Sequence, residues 1–377
     1  MATIPRLGFS SSPGTRRRPL SPGAPAMMDG WSFSTVTGPG IWAVLALLLV
    51  VPAGCSDPAG PDQEPVEADV WHPFGQGLSG SPSAFVEWHG GLVVGGEFIT
   101  AGDQPARNIA RWDGNVWHTL GTGLDRTVQA LEVHQDDLIA VLVQDEDEEE
   151  ERVFRWAGGE WHPMGFPHVH PPHLTLAVHD GVLYVLASDL YRWTGSGWAS
   201  VPVEVDGEVY EAGRSMAVHG DHLFVATDPE NVVTDPVQLA RWDGQRWEWF
   251  ESPEDLSFHL HADDRELFAW AAGGARHWTG SGWEGISSPG LDRGSTTVHQ
   301  GALVTGMGLF WSNRFYLLRW HGSEWIEIPG EMGDQINAIG SYGSMLVAGG
   351  DFTTIDGVPF RGIAGIIPSW TDDQGGS

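Results

Sequence analysis

The chain has 377 residues and a formal net charge of −31, from 19 basic and 50 acidic residues. Every basic residue is an arginine, and a chain this acidic argues against nucleic acids and anionic membrane surfaces as partners. Its 51 glycines and 25 prolines argue against long helices. A single cysteine excludes an intrachain disulfide, a cysteine-based zinc finger and an iron–sulfur cluster.

The first feature along the chain is the apolar run Ile41–Val51. A bilayer span needs about 20 residues, whereas the apolar centre of a signal peptide needs about 7–15. The sequence therefore predicts a signal peptide over residues 1–54 and an exported protein. Its start stays open, because Met27 and Met28 are alternative first residues.

Small residues and then Cys55 follow this run directly. The order resembles a bacterial lipoprotein signal, which implies lipid on Cys55 as the only membrane attachment, at the outer membrane or the cell surface. Pro52 departs from that pattern, which usually has leucine there. Cleavage after Ala53 by the ordinary signal peptidase, giving a secreted protein, is the alternative. Residues 55–69 are acidic and rich in proline, which predicts a disordered tether.

From residue 70 onward the chain repeats the motif Arg-Trp-x-Gly-x-x-Trp, with histidine replacing arginine in one copy. The six copies are Arg111–Trp117, Arg155–Trp161, Arg192–Trp198, Arg241–Trp247, His277–Trp283 and Arg319–Trp325. The second tryptophan has one earlier member, Trp71. It recurs about every 42 residues, which fits the roughly 40–50 residues of a four-stranded propeller blade.

Each repeat reads as four short strands, here named a to d, with alternating apolar and polar residues. In the first repeat these strands are residues 83–88, 92–97, 108–112 and 116–120. Seven repeats predict an all-β fold, a seven-bladed β-propeller of four-stranded blades over residues 70–368. A disordered tail is expected at 369–377.

The propeller sequence starts on a d strand and ends on a c strand. Val70–Phe74 is therefore expected to pair with Gly362–Ile367, which closes the ring and removes both free sheet edges. Trp370 offers a rival d strand. We prefer Trp71, because only a few polar residues follow Trp370.

The stretches Val93–Gly102 and Asn108–Gly114 resemble secreted bacterial propeller repeats that are related to kelch and galactose-oxidase propellers. A similar repeat occurs in fungal cortical marker proteins. Residues Gly349–Thr354 show the same pattern in the last blade. The resemblance implies a propeller and leaves the function open. The copper chemistry of galactose oxidase needs a Tyr–Cys crosslink, which a lone Cys55 at the processing site does not supply.

The connections between strands b and c, and between d and the next a, vary widely in length. In a propeller both sets lie on one face, called here the loop face. Variable loops on a fixed scaffold usually carry function. We therefore expect the ligand site on the loop face.

One cluster of metal-ligating residue types falls on the loop face of the second blade. His168, His170 and His173 stand in one connection, and the carboxylate run Asp145–Glu151 stands in another. Imidazoles with carboxylates suit zinc or copper. The simpler interpretation is a proline-rich loop beside a solvated acidic insertion. No cofactor is predicted, and the metal site stays a hypothesis.

Four histidines share the last position of strand a: His134, His179, His219 and His299. Trp88 and Tyr342 take this position in other blades. A position that repeats around a ring predicts a scaffold role rather than catalysis. Trp249, Trp270 and Trp311 lie outside the repeated positions, where they either pack in the core or offer platforms for sugar rings.

The sequence contains no nucleophile elbow, no His-Glu-x-x-His motif and no phosphate-binding glycine loop. Two interpretations of the function remain. The preferred one is a monomeric, non-enzymatic cell-envelope lipoprotein, whose propeller binds a protein or a glycan through the loop face. The alternative is a hydrolase or lyase that acts on a polysaccharide, with its site on the same face.

Overall fold

The computed structural model describes residues 68–143, 151–167, 174–227, 237–253, 258–271, 274–287, 295–309 and 314–372. The signal segment and Cys55 lie outside these ranges, as do the three histidines 168, 170 and 173. The account below concerns the described residues.

Seven antiparallel four-stranded units form a seven-bladed β-propeller, as the repeat predicts. In blade 1 the strands a to d are Ser81–Trp88, Gly91–Glu97, Ile109–Trp112 and Trp117–Thr119. In blade 2 they are Val128–His134, Asp137–Leu142, Val153–Ala157 and Glu160–Pro163. In blade 3 they are Thr175–His179, Val182–Leu186, Leu190–Trp193 and Trp198–Ser200. In blades 4 and 5 they are Ala212–His219, His222–Thr227, Gln238–Trp242 and Trp247–Phe250; and Phe258–Ala262, Leu267–Ala271, Gly274–Trp278 and Trp283–Ile286. In blades 6 and 7 they are Thr296–His299, Ala302–Leu309, Arg314–Trp320 and Trp325–Met332; and Ile336–Tyr342, Met345–Gly350, Ile363–Ile366 and Trp71–Pro73.

Strand b is the most deeply buried strand of a blade. In Gly91–Glu97 and Met345–Gly350, nearly every residue is buried. Each sheet packs against a neighbouring blade on both faces, so both sets of alternating side chains leave water. For this reason the b strands read as almost continuous apolar runs, whereas a sheet with one wet face reads as an alternation.

The predicted closure of the ring is confirmed. Trp71 pairs with Ile366, and Pro73 pairs with Ala364, so the first strand of the chain completes the last blade. Trp370 lies in a short 3₁₀ helix, Ser369–Asp372, at the start of the expected tail. Its ring packs against the core of blades 6 and 7, with the guanidinium of Arg319 4.6 Å from its centroid.

The two tryptophans of each complete motif pack together across the c–d hairpin, with ring centroids 5.1 to 5.6 Å apart. In every blade except blade 4, the indole N–H of the second tryptophan donates to a backbone carbonyl of the preceding blade, as Trp117 does to Phe74 at 2.9 Å and Trp198 to Met164 at 3.1 Å. The buried indole N–H of Trp247, in blade 4, has no hydrogen-bond partner among the described residues. The repeated tryptophans therefore join consecutive blades by packing and by hydrogen bonds.

The last position of strand a, or in blade 5 the residue directly after that strand, forms a second connection around the ring, called here the clasp. Each side chain bonds to the a–b turn of the next blade, except that His299 bonds to Ser341 near the end of strand a in blade 7. The bonds are Trp88 to the Asp136 carbonyl, His134 to that of Gly181, His179 to that of Asp221, His219 to that of Asp263, Asp263 to the Gly301 N–H, His299 to the Ser341 hydroxyl and Tyr342 to the Gly90 carbonyl. Their lengths are 2.8 to 3.1 Å. The predicted scaffold role of the four histidines is confirmed, and Asp263 is the member in blade 5.

The b–c connections of blades 1 and 7 share a small element of secondary structure. Each contains a small hairpin, Thr100–Ala101 with Gln104–Pro105 in blade 1, and Thr354–Ile355 with Val358–Pro359 in blade 7. A third small hairpin, Val203–Val205 with Glu208–Tyr210, stands between blades 3 and 4. Within the described ranges, no helix is long and apolar enough to cross a membrane.

Replacing Asp263 by alanine tests the clasp. Its carboxylate accepts backbone N–H groups from Arg265, Glu266 and Gly301, each at 2.8 Å. We expect Asp263→Ala to lower the free energy of unfolding by about 2 kcal/mol, because three donors lose a charged acceptor. The measurement is guanidinium unfolding of the full chain. Asp264→Ala, at the exposed next position, is the control, and an equal loss in both variants would contradict the assignment.

Candidate functional site

The loop face of blades 7, 1 and 2 carries two adjoining clefts, together called the loop-face groove. One cleft, of about 480 Å³, lies between blades 1 and 2. The other, of about 470 Å³, lies between blades 7 and 1. Ser79 lines both clefts. Both are built by b–c and d–a connections, on the face where the sequence predicts binding.

Backbone hydrogen bonds hold the groove in shape. The Ser79 hydroxyl accepts the N–H groups of Ile99 and Thr100 at 3.0 and 2.9 Å, and so links the two clefts. Gly77 has a φ of +72°, and a Cβ there would lie 2.3 Å from the Arg361 carbonyl oxygen. Only glycine fits this close approach. The groove is therefore pre-formed, as ligand sites usually are.

The Asn108 side chain braces the floor of the first cleft. Asn108 has a φ of +61°, and Gly362 occupies the matching position of blade 7 with a φ of +68°. The Asn108 amide donates to the Leu124 carbonyl at 3.0 Å and accepts the Phe98 N–H at 3.3 Å. Asparagine and glycine are the two residues that most readily adopt this left-handed conformation, so both repeats turn at the same point.

The groove presents charged groups of both signs and two exposed apolar side chains, Ile99 and Val143. The carboxylates of Glu97 and Asp125 line the first cleft, and that of Asp351 lines the second. Arg126 also lines the first cleft, with its guanidinium bonded to the carbonyls of Val143 and Glu151. Ile99 lines the same cleft with 72% of its surface exposed. These groups suit an extended ligand with hydrogen-bonding groups and an apolar anchor.

A third cavity, of about 350 Å³, lies at the centre of the ring. It is called here the channel, and it is lined by the a strands of blades 2 to 6. Two of its lining residues are titratable, Glu132 in blade 2 and His261 in blade 5. Burial raises the pKa of the Glu132 carboxyl. Burial, with the nearby His259, lowers the pKa of His261 to about 4, so its imidazole is neutral at pH 7.

The sequence reasoning missed Glu132 and His261, although the repeat contains the signal that finds them. Both stand two positions before the clasp residue. Around the ring, this position is Val86, Glu132, Ala177, Ala217, His261, Thr297 and Gly340. Titratable side chains occur here only in blades 2 and 5. They break a pattern of small and apolar residues, and residues that break a repeat are candidates for function.

The sequence-predicted site residues mostly lie outside the described ranges. Cys55 and the histidines His168, His170 and His173 are outside them, and Glu151 is the one described member of the acidic run. Lipidation at Cys55 and the histidine metal site therefore stay predictions. Within the described ranges, no three or more His, Cys, Asp or Glu residues are grouped so that they could hold a metal ion.

Two of the three tryptophans proposed as sugar platforms pack inside the protein. Trp249 contacts Tyr210 edge to face at 4.7 Å, against the hairpin between blades 3 and 4. Trp270 meets Trp325 at 5.8 Å between blades 5 and 6. Trp311 lies outside the described residues. Core packing, the simpler of the two interpretations, is thus correct for Trp249 and Trp270.

No protein-family model and no curated protein sequence matches this chain. Several solved structures are similar to it. The computationally designed protein Ika8 is 13% identical, with a TM-score of 0.46 over 78% of this chain and 98% of that one. The GH74 xyloglucanase from Xanthomonas campestris is 16% identical, with a TM-score of 0.49 over 75% of this chain and 52% of that one. YCF48 from Cyanidioschyzon merolae is 11% identical, with a TM-score of 0.47 over 80% of this chain and 99% of that one.

Replacing Glu132 by glutamine tests whether the channel carboxylate is kept at the expense of stability. Because its pKa is raised above the ordinary 4.5, the stability of the folded state falls as the pH rises from 4.5 through the folded-state value. Glutamine stays neutral. We expect Glu132→Gln to be about 1 kcal/mol more stable than the natural chain at pH 7, and this difference to vanish below pH 4.5.

The measurement is guanidinium unfolding of the full chain at several pH values between 4 and 7. Glu160→Gln, at an exposed glutamate of blade 2, is the matched control and should leave the stability unchanged. A Glu132→Gln variant that is no more stable than the natural chain at pH 7 would show that burial does not destabilise this carboxylate.

Proposed function

We propose that this chain is an exported, lipid-anchored envelope protein whose propeller binds a partner protein in the loop-face groove without catalysing a reaction. The observation that carries the proposal is the pair of pre-formed clefts that meet at Ser79, on the face where the connections vary most. A trough across three blades suits an extended segment better than a compact small molecule.

The composition of the groove supports a protein partner with a basic, partly apolar segment. Ile99 offers an apolar contact at the first cleft, and apolar anchors dominate protein interfaces. The carboxylates of Glu97, Asp125 and Asp351 attract Lys or Arg, and the net charge of −31 steers such a segment toward the surface. A glycan site would be favoured by an exposed aromatic ring, and Trp249 and Trp270 are packed instead.

The cellular location in this proposal rests on the sequence. The apolar run Ile41–Val51 and the small residues before Cys55 support export and lipid attachment. Residues 55–69 would then tether the propeller to the envelope. The proposal includes no cofactor and a monomeric chain.

A hydrolase or lyase that acts on a polysaccharide is the second candidate. Glu97 and Asp125 line the same cleft, and paired carboxylates carry out glycoside hydrolysis. Release of reducing ends from a polysaccharide would establish this alternative if Glu97→Gln and Asp125→Asn each stopped it.

Replacing Ile99 by glutamate tests the binding proposal. Peptides selected from a random display library on the full chain should bind Ile99→Glu at least tenfold more weakly, because a charge replaces the apolar contact at the groove. Val116→Glu is the matched control. Val116 is also apolar, with 53% of its surface exposed against 72% for Ile99, and it lies in a c–d turn on the opposite face.

Isothermal titration calorimetry with the selected peptides gives the affinities. Equal affinity for all three proteins, or equal weakening in both variants, would place the peptide site elsewhere. Binding of a soluble glycan that Ile99→Glu weakens and Val116→Glu does not would change the partner class from protein to glycan.

Replacing Cys55 by alanine tests the lipid anchor. The variant should move from the membrane fraction to the soluble fraction of bacteria that make the full chain, because the lipid is the only proposed attachment. Ser56→Ala, one residue further on, is the control and should stay in the membrane fraction. A Cys55→Ala protein that remains in the membrane would refute lipidation at this cysteine.

A further inference from the structure

The channel is lined by a strands at the edges of their sheets, and its exposed lining is more polar than apolar although most of its side chains are apolar. Besides Glu132, His261 and Thr297, the lining residues are alanines, valines, leucines and one methionine, at positions 176–178, 216–218, 260, 262 and 298. A cavity of about 350 Å³ falls within the roughly 300–1,000 Å³ of small-molecule sites. The channel is thus large enough for a small ligand with a hydrocarbon body.

Glu132 places one negative charge among these side chains. Within the described part of the chain, the hydrogen bond to its carboxylate comes from the N–H of the next residue, Val133, at 2.9 Å. A carboxylate accepts up to about four hydrogen bonds, so most of its capacity is open to a ligand. Glu132 is half-buried, and a carboxylate with restricted access to water destabilises a protein unless a cation pairs with it.

His261 lies in blade 5, three blades along the ring from blade 2. It therefore lies across the channel from Glu132. The two residues hold the same position relative to the clasp, and therefore the same depth in the ring. A neutral imidazole accepts a hydrogen bond from an N–H group and does not repel a cation. The channel thus offers a negative charge on one side and an acceptor on the other.

We propose that the channel binds a small organic cation, a primary ammonium or diamine with a short aliphatic body. The ammonium pairs with the Glu132 carboxylate, the aliphatic body lies against the alanine and valine walls, and a second amino group donates to His261. The acidic surface raises the concentration of such cations at the channel mouth. This site is separate from the loop-face groove and does not depend on the protein partner proposed there.

The test uses 1,4-diaminobutane, butylamine, butanol and butanoate, which share a four-carbon body and differ in charge. Calorimetric titration of the full chain at pH 7 should detect both amines and neither butanol nor butanoate. Glu132→Gln should weaken both amines at least tenfold. His261→Ala should weaken the diamine several-fold more than butylamine, because only the diamine reaches across the channel.

Glu160→Gln is the control for a general loss of negative charge and should bind both amines as the natural chain does. Thermal unfolding of each variant shows whether it is folded. Amine binding that survives Glu132→Gln, or butanol binding as tightly as butylamine, would overturn the proposal. So would the absence of heat with either amine at millimolar concentration. A thermal shift with Zn²⁺ or Ca²⁺ that Glu132→Gln removes, without amine binding, would overturn it in favour of a metal ion.

Discussion

The structure depends on burying every blade on both faces. A sheet whose two faces are apolar is stable only between two neighbours, so no blade in the series can stand at an end. Pairing of Trp71 with Ile366 satisfies this requirement by making the last blade from both ends of the propeller sequence. The clasp then connects each blade to the next, and the tryptophan hydrogen bonds add a second connection between all neighbouring blades except 3 and 4.

The scaffold follows from the sequence because its determinants are local and repeated. The glycine of each motif and its two tryptophans specify one c–d hairpin, and six such hairpins with the closing pair in blade 7 specify the ring. Asp263 escaped notice because its chemistry differs from that of the histidines, although it serves the same purpose by accepting an N–H instead of donating one. Backbone position, rather than residue type, defines the clasp.

The candidate sites follow from the sequence only in part. The loop face was predictable from connection lengths, and the groove lies there. The meeting of two clefts at Ser79 was not, because it depends on close approaches such as that of Gly77 to the Arg361 carbonyl. Glu132 and His261 are 129 positions apart in the chain, and only the curvature of the ring brings blades 2 and 5 to face one channel.

A repeat protein separates stability from function along its own sequence. Positions that keep one chemistry in every blade, such as the paired tryptophans, carry the ring. Positions where single blades depart from that chemistry are free to bind. Glu132 and His261 replace small or apolar residues at one ring position, and the b–c connections of blades 1 and 7 contain small hairpins. The ring does not require a carboxylate at a position that holds alanine in two other blades, and the proposed organic cation would give Glu132 a partner.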